Sequence, residues 1–457
     1  MKISVIIPCF NGAKWLADAV ASVVGQGIEG TEIIVVDDVS SDDSVKVAED
    51  LGRKFANLSV LRQAVNGGPA KARNAGLRKA SGKYVCFLDA DDAYGEGVFA
   101  RALAVFAEGP WVQAVYFPVH FVNNHRDVHP LQHRRIEQSL PSTLIVQREL
   151  AEAVGGFPES EAFRTKQAGE DVTFRFLIDY WANARRIDDV FLKYTVRRGG
   201  HFDAYLDRSR VEDGQILVRP DEADAIVEKG AQEAIQRGIE HLRSHFKVGE
   251  TRTLQLKIDS RLLRFETLDD DASFQQAQDT LQGKIHPKTP FLQNVSSVLD
   301  IGANIGASAA LFAHRYPSAR IVAVESSRKS FVLLRSNSRS HPRIECFNVG
   351  LSDRATAMED VQLVPADDFV AKVAIARPDI IRIATGGHDL PILDTIAESF
   401  RTARAVYFGY RSEEGRRAID RLLSGTHTLF FGSAPSPHRG DLMYVRNDAL
   451  PAGAQRS

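Results

Sequence analysis

Short runs of β-branched residues that alternate with amphipathic helical patterns constrain the fold of this chain more than any other feature. The first third carries apolar runs in "ISVIIP", "EIIVVDD" and "LSVLRQ", separated by helical patterns such as "AKWLADAVASVVGQ". Buried strands that alternate with amphipathic helices are typical of βαβ units and of a parallel sheet. A ligand site of such a sheet is expected at the edge where the carboxyl ends of the strands meet.

A second pattern of the same kind begins near residue 296. There "VSSVLDIGANIG" predicts a strand, a glycine turn and a helix, and "ARIVAVE" predicts the next strand. Residues 221–246, between the two patterns, combine helical spacing of apolar residues with many charges, which is typical of a solvent-facing connector helix. We therefore predict an α/β protein with two domains, residues 1–215 and 250–450, joined by a helical connector over residues 216–249.

Composition excludes several classes of function. The net charge of −2 over 457 residues gives no electrostatic reason to expect nucleic acid or a strongly anionic membrane as partner. Cys9, Cys86 and Cys346 lie far apart without C-x-x-C spacing, which argues against a zinc site or a disulfide scaffold and favours a reducing cytoplasm. The sequence lacks the run of roughly 18 apolar residues that a transmembrane helix needs, so any membrane contact is expected to be peripheral. Composition leaves the oligomeric state open.

Acidic residues follow two of the predicted strands. The stretch "EIIVVDDVSSDDS" places Asp37 and Asp38 at a strand end, and "VCFLDADDAY" places Asp89, Asp91 and Asp92 at another. Carboxylates gathered at one sheet edge repel each other unless a cation or hydrogen-bond donors compensate. Mg²⁺ or Mn²⁺ would do so, and Mg²⁺ typically takes only one or two protein carboxylates beside substrate phosphates. A solvated acidic turn would explain this D-x-D equally well.

Two further signals follow along the chain. The stretch "NGGPAKARNAG" contains a glycine turn and places Arg73 near the start of a helix, which suits an anionic or polar ligand. Then "VGGFPESEAFRTKQAGEDVTFRFLI" carries a Gly-Gly-Phe loop, followed by Glu170 and Asp171 at the head of an amphipathic helix. Helix capping alone would explain those two acids. The four signals in this order indicate a site more strongly than any one of them does.

Together these segments resemble the family 2 inverting glycosyltransferases of the glycosyltransferase A fold, over about residues 1 to 210. The resemblance implies a Rossmann-like mixed sheet that binds a nucleotide-sugar donor. It also implies transfer of the sugar to a hydroxyl of a glycan or glycolipid acceptor, in surface polysaccharide or glycoconjugate biosynthesis. One departure is Val39, which stands where the family usually has the glycine of D-D-G-S.

The resemblance also implies roles for individual residues. The implied donor-binding residues are Pro8, Asp38, Arg73, Asp89, Asp91, Arg197 and His201. Among them, Asp89 and Asp91 would form the D-x-D that reads the ribose and holds Mg²⁺ or Mn²⁺ on the diphosphate. Asp171 would be the general base that takes the proton of the acceptor hydroxyl. Arg197 and His201 come from "YTVRRGGHFD", a segment that an ordinary surface loop would also explain.

The second pattern carries its own candidate site. Residues 298–306, "VLDIGANIG", break from a strand into a glycine turn, which permits close approach of the backbone to a cofactor. Glu325 ends the next strand, "RIVAVE", where an acid can accept hydrogen bonds from ribose hydroxyls. A structural strand-to-helix turn with a capping acid is the alternative.

This region resembles the FkbM-type S-adenosylmethionine-dependent methyltransferases over about residues 250 to 447, which implies a Rossmann-like class I fold. The implied S-adenosylmethionine-binding residues are Asp300, Gly302, Asn304, Gly306 and Glu325. Where the family usually reads I-K-I-D-x-E-G-A-E, this chain has "IIRIATGGHDL", so Ala384 and Gly386 replace two acids. Three possibilities therefore stay open: an inactive methyltransferase-like domain, a bifunctional glycosyltransferase and O-methyltransferase, and a non-catalytic docking or dimerisation module.

Overall fold

The computed structural model describes residues 2–164, 169–258, 261–358, 361–436 and 438–450. The chain divides into two compact units, Met1–His245 and Phe246–Ser457. All three cysteines are buried, and none of them forms a disulfide with another. Within the described residues, no helix is both long and apolar enough to cross a membrane.

The strands of the first unit are β1 (Ile3–Cys9), β2 (Thr31–Asp37), β3 (Leu58–Arg62), β4 (Tyr84–Phe87), β5 (Ala93–Tyr94), β6 (Ala114–Tyr116), β7 (Val119–Val122), β8 (Leu144–Gln147), β9 (Ala184–Arg186), β10 (Leu192–Thr195), β11 (Ser209–Glu212) and β12 (Gln215–Val218). Its helices are α1 (Leu16–Val24), α2 (Ser44–Lys54), α3 (Gly68–Lys79), α4 (Val98–Phe106), α5 (Pro130–Ser139), α6 (Arg148–Ala153), α7 (Glu170–Trp181), α8 (His201–Arg208) and α9 (Glu222–His245).

The central sheet of the first unit has the strand order β3-β2-β1-β4-β8-β6-β9. Strands β3, β2, β1 and β4 run parallel, whereas β8 runs antiparallel to both β4 and β6. Strand β1 is buried along nearly its whole length, as expected for a central strand with both faces covered. The predicted mixed α/β sheet is confirmed, and the carboxyl ends of β1, β2 and β4 share one edge.

Helix α9 belongs to the first unit, in contrast to the predicted connector over residues 216–249. Its residues Ala234 and Leu242 are buried. A Cβ placed on Gly238 would lie 2.5 Å from Cδ1 of Leu177 in α7, so the two helices pack closely. The apolar face of this helix therefore packs on α7 and its surroundings, while most of its other residues are exposed.

The strands of the second unit are β13 (Thr251–Ile258), β14 (Arg261–Leu268), β15 (Ser297–Ile301), β16 (Arg320–Glu325), β17 (Ile344–Asn348), β18 (Gly350–Ser352), β19 (Thr356–Met358), β20 (Val361–Pro365), β21 (Ile380–Ile383), β22 (Ala405–Tyr410), β23 (His427–Ser436) and β24 (Arg439–Arg446). Its helices are α10 (Asp271–Leu281), α11 (Ala307–Arg315), α12 (Arg328–Ser338), α13 (Ala366–Lys372), α14 (Asp389–Thr395), α15 (Ala397–Thr402) and α16 (Glu413–Leu423).

The main sheet of the second unit has the order β17-β16-β15-β21-β22-β24-β23. Its strands from β17 to β22 run parallel, and β24 runs antiparallel to β22 and β23. The strand order reverses between β15 and β21, and in open α/β sheets such a switch point is where ligands bind. The turn after β15 requires glycine, because Gly302 has φ +74° and a Cβ there would lie 2.3 Å from the carbonyl oxygen of Ala384.

Candidate active site

Asp38 joins the loops that form the rim of the first site. Its two carboxylate oxygens accept hydrogen bonds from the backbone N–H groups of Gly67 (2.8 Å) and Gly68 (2.7 Å), at the start of α3. Its own N–H donates to the carbonyl of Cys9, and Pro8 precedes that residue at the end of β1. Asp38 therefore fixes the glycine turn against β1, and its predicted contact with a nucleoside base stays a prediction, as does that of Pro8.

An exposed apolar rim surrounds Asp38, and the sequence analysis did not identify it. The side chains of Phe10, which follows β1, and Val65, which follows β3, are 56% and 71% exposed. Asn66 Nδ2 donates to the carbonyl of Asp38 and thereby holds the second of these loops at the same edge. An exposed aromatic ring beside a polar pocket offers a stacking surface. The signal in the sequence was an aromatic residue directly after a buried strand, in "IIPCFNG".

Val39 adopts the backbone conformation that the usual glycine would supply. Its φ is +66°, in the left-handed region that β-branched residues rarely occupy. The turn is held by hydrogen bonds from the Ser40 N–H to Asp37 and from the Asn11 N–H to Ser40 Oγ. The departure at Val39 therefore leaves the turn in the left-handed geometry, at a strain cost on the order of 1–3 kcal/mol.

The D-x-D carboxylates each pair with an arginine from elsewhere in the chain. Arg73 Nη2 donates to Asp89 Oδ1 at 2.8 Å, and Arg197 Nε donates to Asp91 Oδ2 at 2.5 Å. The guanidinium of Arg197 also lies 4.5 Å from the ring centroid of Trp15, a cation–π contact that the sequence analysis missed. Arg197, although predicted only from a loop motif, thus reaches the D-x-D.

Asp92, the third acid of this stretch, has a structural partner. Its Oδ1 accepts a hydrogen bond from the Thr195 N–H at 2.9 Å, which ties the D-x-D turn to β10. Burial raises the pKa of Asp92 well above its usual range, and the like charges of Asp89 and Asp91 add to the effect. The three acids of "DADD" therefore differ in environment, and Asp92 is the one enclosed by the fold.

Arg73 lies at the centre of the site and connects α3 to α7. Besides Asp89, it contacts Glu170, with Arg73 Nη1 3.3 Å from Glu170 Oε1. The side chains of Arg73 and Glu170 are each only 5% exposed. Its guanidinium also lies 5.1 Å from the ring centroid of Phe157. The nearby carboxylates of Asp89 and Glu170 outweigh desolvation and raise the pKa of Arg73 further above its usual value. The sequence analysis placed Arg73 near the donor but did not predict the Glu170 contact.

The Gly-Gly-Phe loop is fastened to α3 next to Arg73. Asn74 accepts a hydrogen bond from the Phe157 N–H and donates one to the Phe157 carbonyl, each 2.8 Å long. Gly156 has φ +72°, and a Cβ there would lie 2.4 Å from Asn74 Oδ1. Phe157 in turn stacks on Phe174 of α7 with ring centroids 4.1 Å apart. The glycine is required because the loop backbone approaches Asn74 so closely.

Asp171 is half-buried in the first turn of α7. Gly169, with φ +119°, precedes the helix, and the Val172 N–H donates to Asp171 Oδ1 at 2.7 Å. Burial, followed by the neighbouring charge of Glu170, raises the pKa of Asp171 to about 7, although Arg73 acts in the opposite direction. A carboxylate with this pKa changes protonation state near neutral pH, which is the range in which a general base is most effective.

A cavity of about 240 Å³ connects the glycine turn to the start of α7. Gly67, Gly68, Glu170 and His201 are among its lining residues, so His201 faces the same space as the turn held by Asp38. The fold therefore brings His201 and Arg197 to the edge where the acids lie. Contact of either residue with a diphosphate stays a prediction.

The D-x-D fits a metal shared with a diphosphate. The described residues contain no group of three His, Cys, Asp or Glu side chains that could hold a metal by themselves. The arginine contacts engage Oδ1 of Asp89 and Oδ2 of Asp91 and leave the second oxygen of each carboxylate outside these ion pairs. One or two protein carboxylates suffice for Mg²⁺ when phosphates and water complete its shell.

The second unit gathers the predicted cofactor residues at its switch point. Both oxygens of Glu325 accept backbone hydrogen bonds, from Asn304 N–H at 2.8 Å and from Ser327 N–H at 2.7 Å. Burial raises the pKa of Glu325. Asp300 is fully buried and accepts hydrogen bonds from Ser308 Oγ and from Arg382 Nη1, at 2.5 and 3.1 Å. These contacts hold the glycine turn, with Gly306 at φ +92°, against the ends of β15 and β16.

Asp441 lies beside the strand end that lacks an acid. A Cβ placed on Gly409 of β22 would be 2.9 Å from Cβ of Ala384 and 3.2 Å from Oδ1 of Asp441, so these two atoms are within about 6 Å of each other. Asp441 belongs to β24 and is half-buried, and burial raises its pKa. The sequence analysis did not find it, because only the antiparallel pairing of β22 with β24 brings it to this edge.

Comparison with known proteins gives a match for the first unit. Residues 4–171 match the family model for glycosyl transferase family 2. The minor teichoic acid biosynthesis protein GgaB of Bacillus subtilis is 35% identical over 134 residues, which are 29% of this chain and 15% of that protein. The poly(ribitol-phosphate) β-N-acetylglucosaminyltransferase TarS of Staphylococcus aureus is 28% identical over 277 residues, 56% of this chain and 46% of that protein. The chain thus spans less than half the length of these relatives.

Among solved structures, S. aureus TarS 1-349 in complex with UDP-GlcNAc is 27% identical to this chain. The alignment covers 54% of this chain and 73% of that one, with a TM-score of 0.39.

Proposed function

We propose that the first unit, in which residues 4–171 match the glycosyl transferase family 2 model, binds the donor and supplies the base of an inverting glycosyltransferase. The enzyme moves a sugar from a nucleotide-sugar donor to a hydroxyl of its acceptor. One observation carries this proposal: Arg73 links the D-x-D acid Asp89 to Glu170, directly beside Asp171. Asp89 and Arg73, which suit a metal-bound diphosphate, therefore lie at the same sheet edge as Asp171, which suits an acceptor hydroxyl.

The rim around Asp38 supports binding of the nucleoside. Phe10 presents an exposed ring on which a base can stack, and Asp38, which follows the neighbouring strand, offers a carboxylate beside the glycine turn. Arg197 and His201 come from the other side, and each offers N–H donors to a diphosphate. Because Arg197 already pairs with Asp91, a donor diphosphate would share or take over this arginine.

Asp89 and Asp91 would hold Mg²⁺ or Mn²⁺ together with the donor phosphates. When bound, the metal neutralises charge on the departing diphosphate. The protein supplies two carboxylates on one rigid turn, which Asp92 fastens to β10. Arg73 fixes Asp89 and thereby the orientation of the turn relative to α7.

Asp171 would remove the proton of the acceptor hydroxyl as the oxygen attacks the anomeric carbon. Attack from the face opposite to the departing diphosphate inverts the configuration of that carbon. A pKa of about 7 lets Asp171 remain ionised in an appreciable fraction of molecules at neutral pH while still binding a proton effectively. Glu170 contributes to this pKa but is itself engaged by Arg73.

The relatives indicate the class of acceptor. GgaB and TarS take part in teichoic acid biosynthesis and poly(ribitol-phosphate) glycosylation by name. By analogy, we propose a polyhydroxylated cell-surface polymer or its glycolipid precursor as the acceptor of this chain. The donor would be a nucleotide sugar, with the base and the sugar left open.

Thermal unfolding of the full chain with a panel of nucleotide sugars tests this proposal directly. We expect one donor to raise Tm in the presence of Mn²⁺ and to lose most of that effect when EDTA is added. A ligand at 100 times its Kd stabilises the folded state by about 2.7 kcal/mol, which is easily measured. Inorganic diphosphate serves as the control for stabilisation by phosphate groups alone. Failure of every nucleotide sugar, with or without metal, to change Tm or to be hydrolysed would contradict the proposal.

A second candidate function concerns the second unit. The strand order, the glycine turn and the paired amide contacts of Glu325 support a methyltransferase-like fold with a nucleoside site. Ala384 and Gly386 stand where the family that this region resembles has acids, whereas Asp441 provides a carboxylate near Ala384. The glycine turn and Glu325 fit the ribose of S-adenosylmethionine. We therefore propose that the second unit binds S-adenosylmethionine, without assigning methyl transfer to it.

Calorimetry with S-adenosylmethionine tests this second candidate. We expect the full chain to bind it and the variant Glu325→Ala to bind at least tenfold more weakly, because the acid that accepts from the ribose is lost. Glu345→Ala, which removes an exposed acid paired with Arg320, is the matched control and should bind as the wild type does. Absence of binding by the wild type would favour a docking or dimerisation module.

A further inference from the structure

A second, larger cleft lies in the first unit between α9 and the segment 154–160. Its volume is about 430 Å³. The apolar part of its lining is formed by Val154, Phe157, Leu177 and Ala234. Arg237 and His241 line it from α9, where residues 234, 237, 238 and 241 lie on one face of the helix. None of the roles assigned above uses this cleft.

A cation and a carboxylate both line the cleft. Arg237 is exposed and forms no ion pair or hydrogen bond within the part of the chain that the structure describes. The ring of His241 is one turn further along α9, and a Cβ placed on Gly155 would lie 3.1 Å from its Cδ2. The carboxylate of Glu159 also lines the cleft and accepts a hydrogen bond from Asn74 Nδ2 at 2.8 Å.

This combination favours an anion attached to neutral carbon and hydroxyl groups. A guanidinium is well matched to phosphate oxygens, and an imidazole N–H can add a second hydrogen bond. The apolar floor suits the carbon backbone of the same ligand. Asn74 holds the carboxylate of Glu159 within the segment 154–160. That carboxylate can accept hydrogen bonds from hydroxyl groups that flank the anion.

The cleft lies next to the smaller cavity of the proposed transfer site. Pro158, Glu159 and Ser160 line both this cleft and the smaller cavity that contains Glu170 and His201. An acceptor chain bound in the cleft would therefore cross only these three loop residues to enter the smaller cavity. Helix α9 also packs against the start of α7, since a Cβ placed on Gly169 would lie 3.0 Å from Cγ1 of Val227.

We propose that the cleft between α9 and residues 154–160 binds a phosphodiester group of the acceptor, at a unit remote from the hydroxyl that receives the sugar. Arg237 is the main contact and His241 the second. This inference rests on the proposed glycosyltransferase function, because it names the class of acceptor for that same site. It predicts that affinity for the acceptor depends on ionic strength, since a salt-screened charge pair contributes to binding.

Steady-state kinetics of Arg237→Ala in the full chain test the proposal. With a phosphodiester-linked polyol oligomer as acceptor, we expect KM to rise about tenfold at low salt with little change in kcat, since one charge-assisted contact is lost. Slow hydrolysis of the nucleotide-sugar donor should remain at the wild-type rate. Arg237→Lys should recover part of the affinity, because the charge is retained.

Lys229→Ala is the matched control, since it removes an exposed cation from α9 that does not line the cleft. An equal rise in KM for Lys229→Ala would overturn the proposal in favour of a general charge effect. So would an unchanged KM in Arg237→Ala, or an equal rise with a neutral or a carboxylate-bearing acceptor. Absence of donor hydrolysis and transfer in the wild type would instead contradict the proposed function itself, so the two failures are distinguishable.

Discussion

Asp171→Asn is expected to lower kcat for sugar transfer by about 10²–10⁴-fold, the range that a general base contributes. The asparagine side chain keeps the size of aspartate but cannot accept the proton of the acceptor hydroxyl. Donor affinity in the presence of Mn²⁺ should stay within about twofold of the wild type, because the D-x-D and Arg73 are unchanged. Initial rates and donor titrations on the same preparation measure both quantities.

The pH dependence gives an independent signature of the same residue. Because the pKa of Asp171 is raised to about 7, kcat/KM of the wild type should rise as the pH increases to about 7 and level off above it. The free energy of unfolding changes in the opposite direction to kcat/KM and decreases as the pH rises. The folded state holds this proton more tightly than the unfolded chain, whose aspartate pKa is about 3.9, so Asp171 lowers the free energy of unfolding progressively between about pH 4 and 7.

Asp171→Asn should therefore have a higher Tm than the wild type at pH 8 and a similar Tm at pH 4. Asp171→Glu provides the control for a merely structural acid at a helix N-terminus. It keeps the charge near the helix dipole but displaces the carboxylate by one methylene, so we expect a large loss of kcat here too. Near-normal transfer by Asp171→Asn, at any pH, would show that Asp171 is not the base.

Asp91→Asn is expected to abolish the metal-dependent part of donor binding. In 1 mM Mn²⁺ the Kd of the nucleotide sugar should rise at least tenfold, or about 1.4 kcal/mol, because an amide is a poorer ligand than a carboxylate for a divalent cation. In EDTA the Kd values of variant and wild type should converge. Titration of the donor by calorimetry with and without metal measures the difference.

Asp91 also pairs with Arg197, so loss of that contact must be separated from loss of a metal ligand. Arg197→Ala breaks the same pair and leaves the carboxylate in place. We expect it to weaken donor binding in Mn²⁺ and in EDTA alike, because an arginine contact to the diphosphate does not require the metal. Identical metal dependence in Asp91→Asn and the wild type would remove the D-x-D from the proposed mechanism.

Local sequence patterns predicted the parts of the site that depend on strand polarity. Asp38 and Asp89 were expected at one edge because both follow buried strands, and the parallel pairing of β2, β1 and β4 puts them there. The glycine turn before α3 and the Gly-Gly-Phe loop were also evident from residue type, since Gly156 occupies a left-handed conformation and faces Asn74 closely.

The connector helix shows where such patterns stop being informative. Apolar residues at helical spacing predict that one face of α9 is covered, but they do not identify the covering element. In the structure, Gly238 lets α9 approach Leu177 of α7, and the same helix lines the larger cleft through Arg237. A boundary placed at residue 215 by sequence therefore separates a helix from the unit with which it packs.

The sequence by itself determined two βα patterns, the polarity of their strands and the residue types available at each strand end, because these follow from local periodicity and turn chemistry. Only the tertiary structure decided which side chains meet. Arg73 with Glu170, Arg197 with Asp91, and Ala384 near Asp441 each join segments far apart in the chain. The raised pKa of Asp171 likewise depends on burial and on neighbouring charges, which no local pattern specifies.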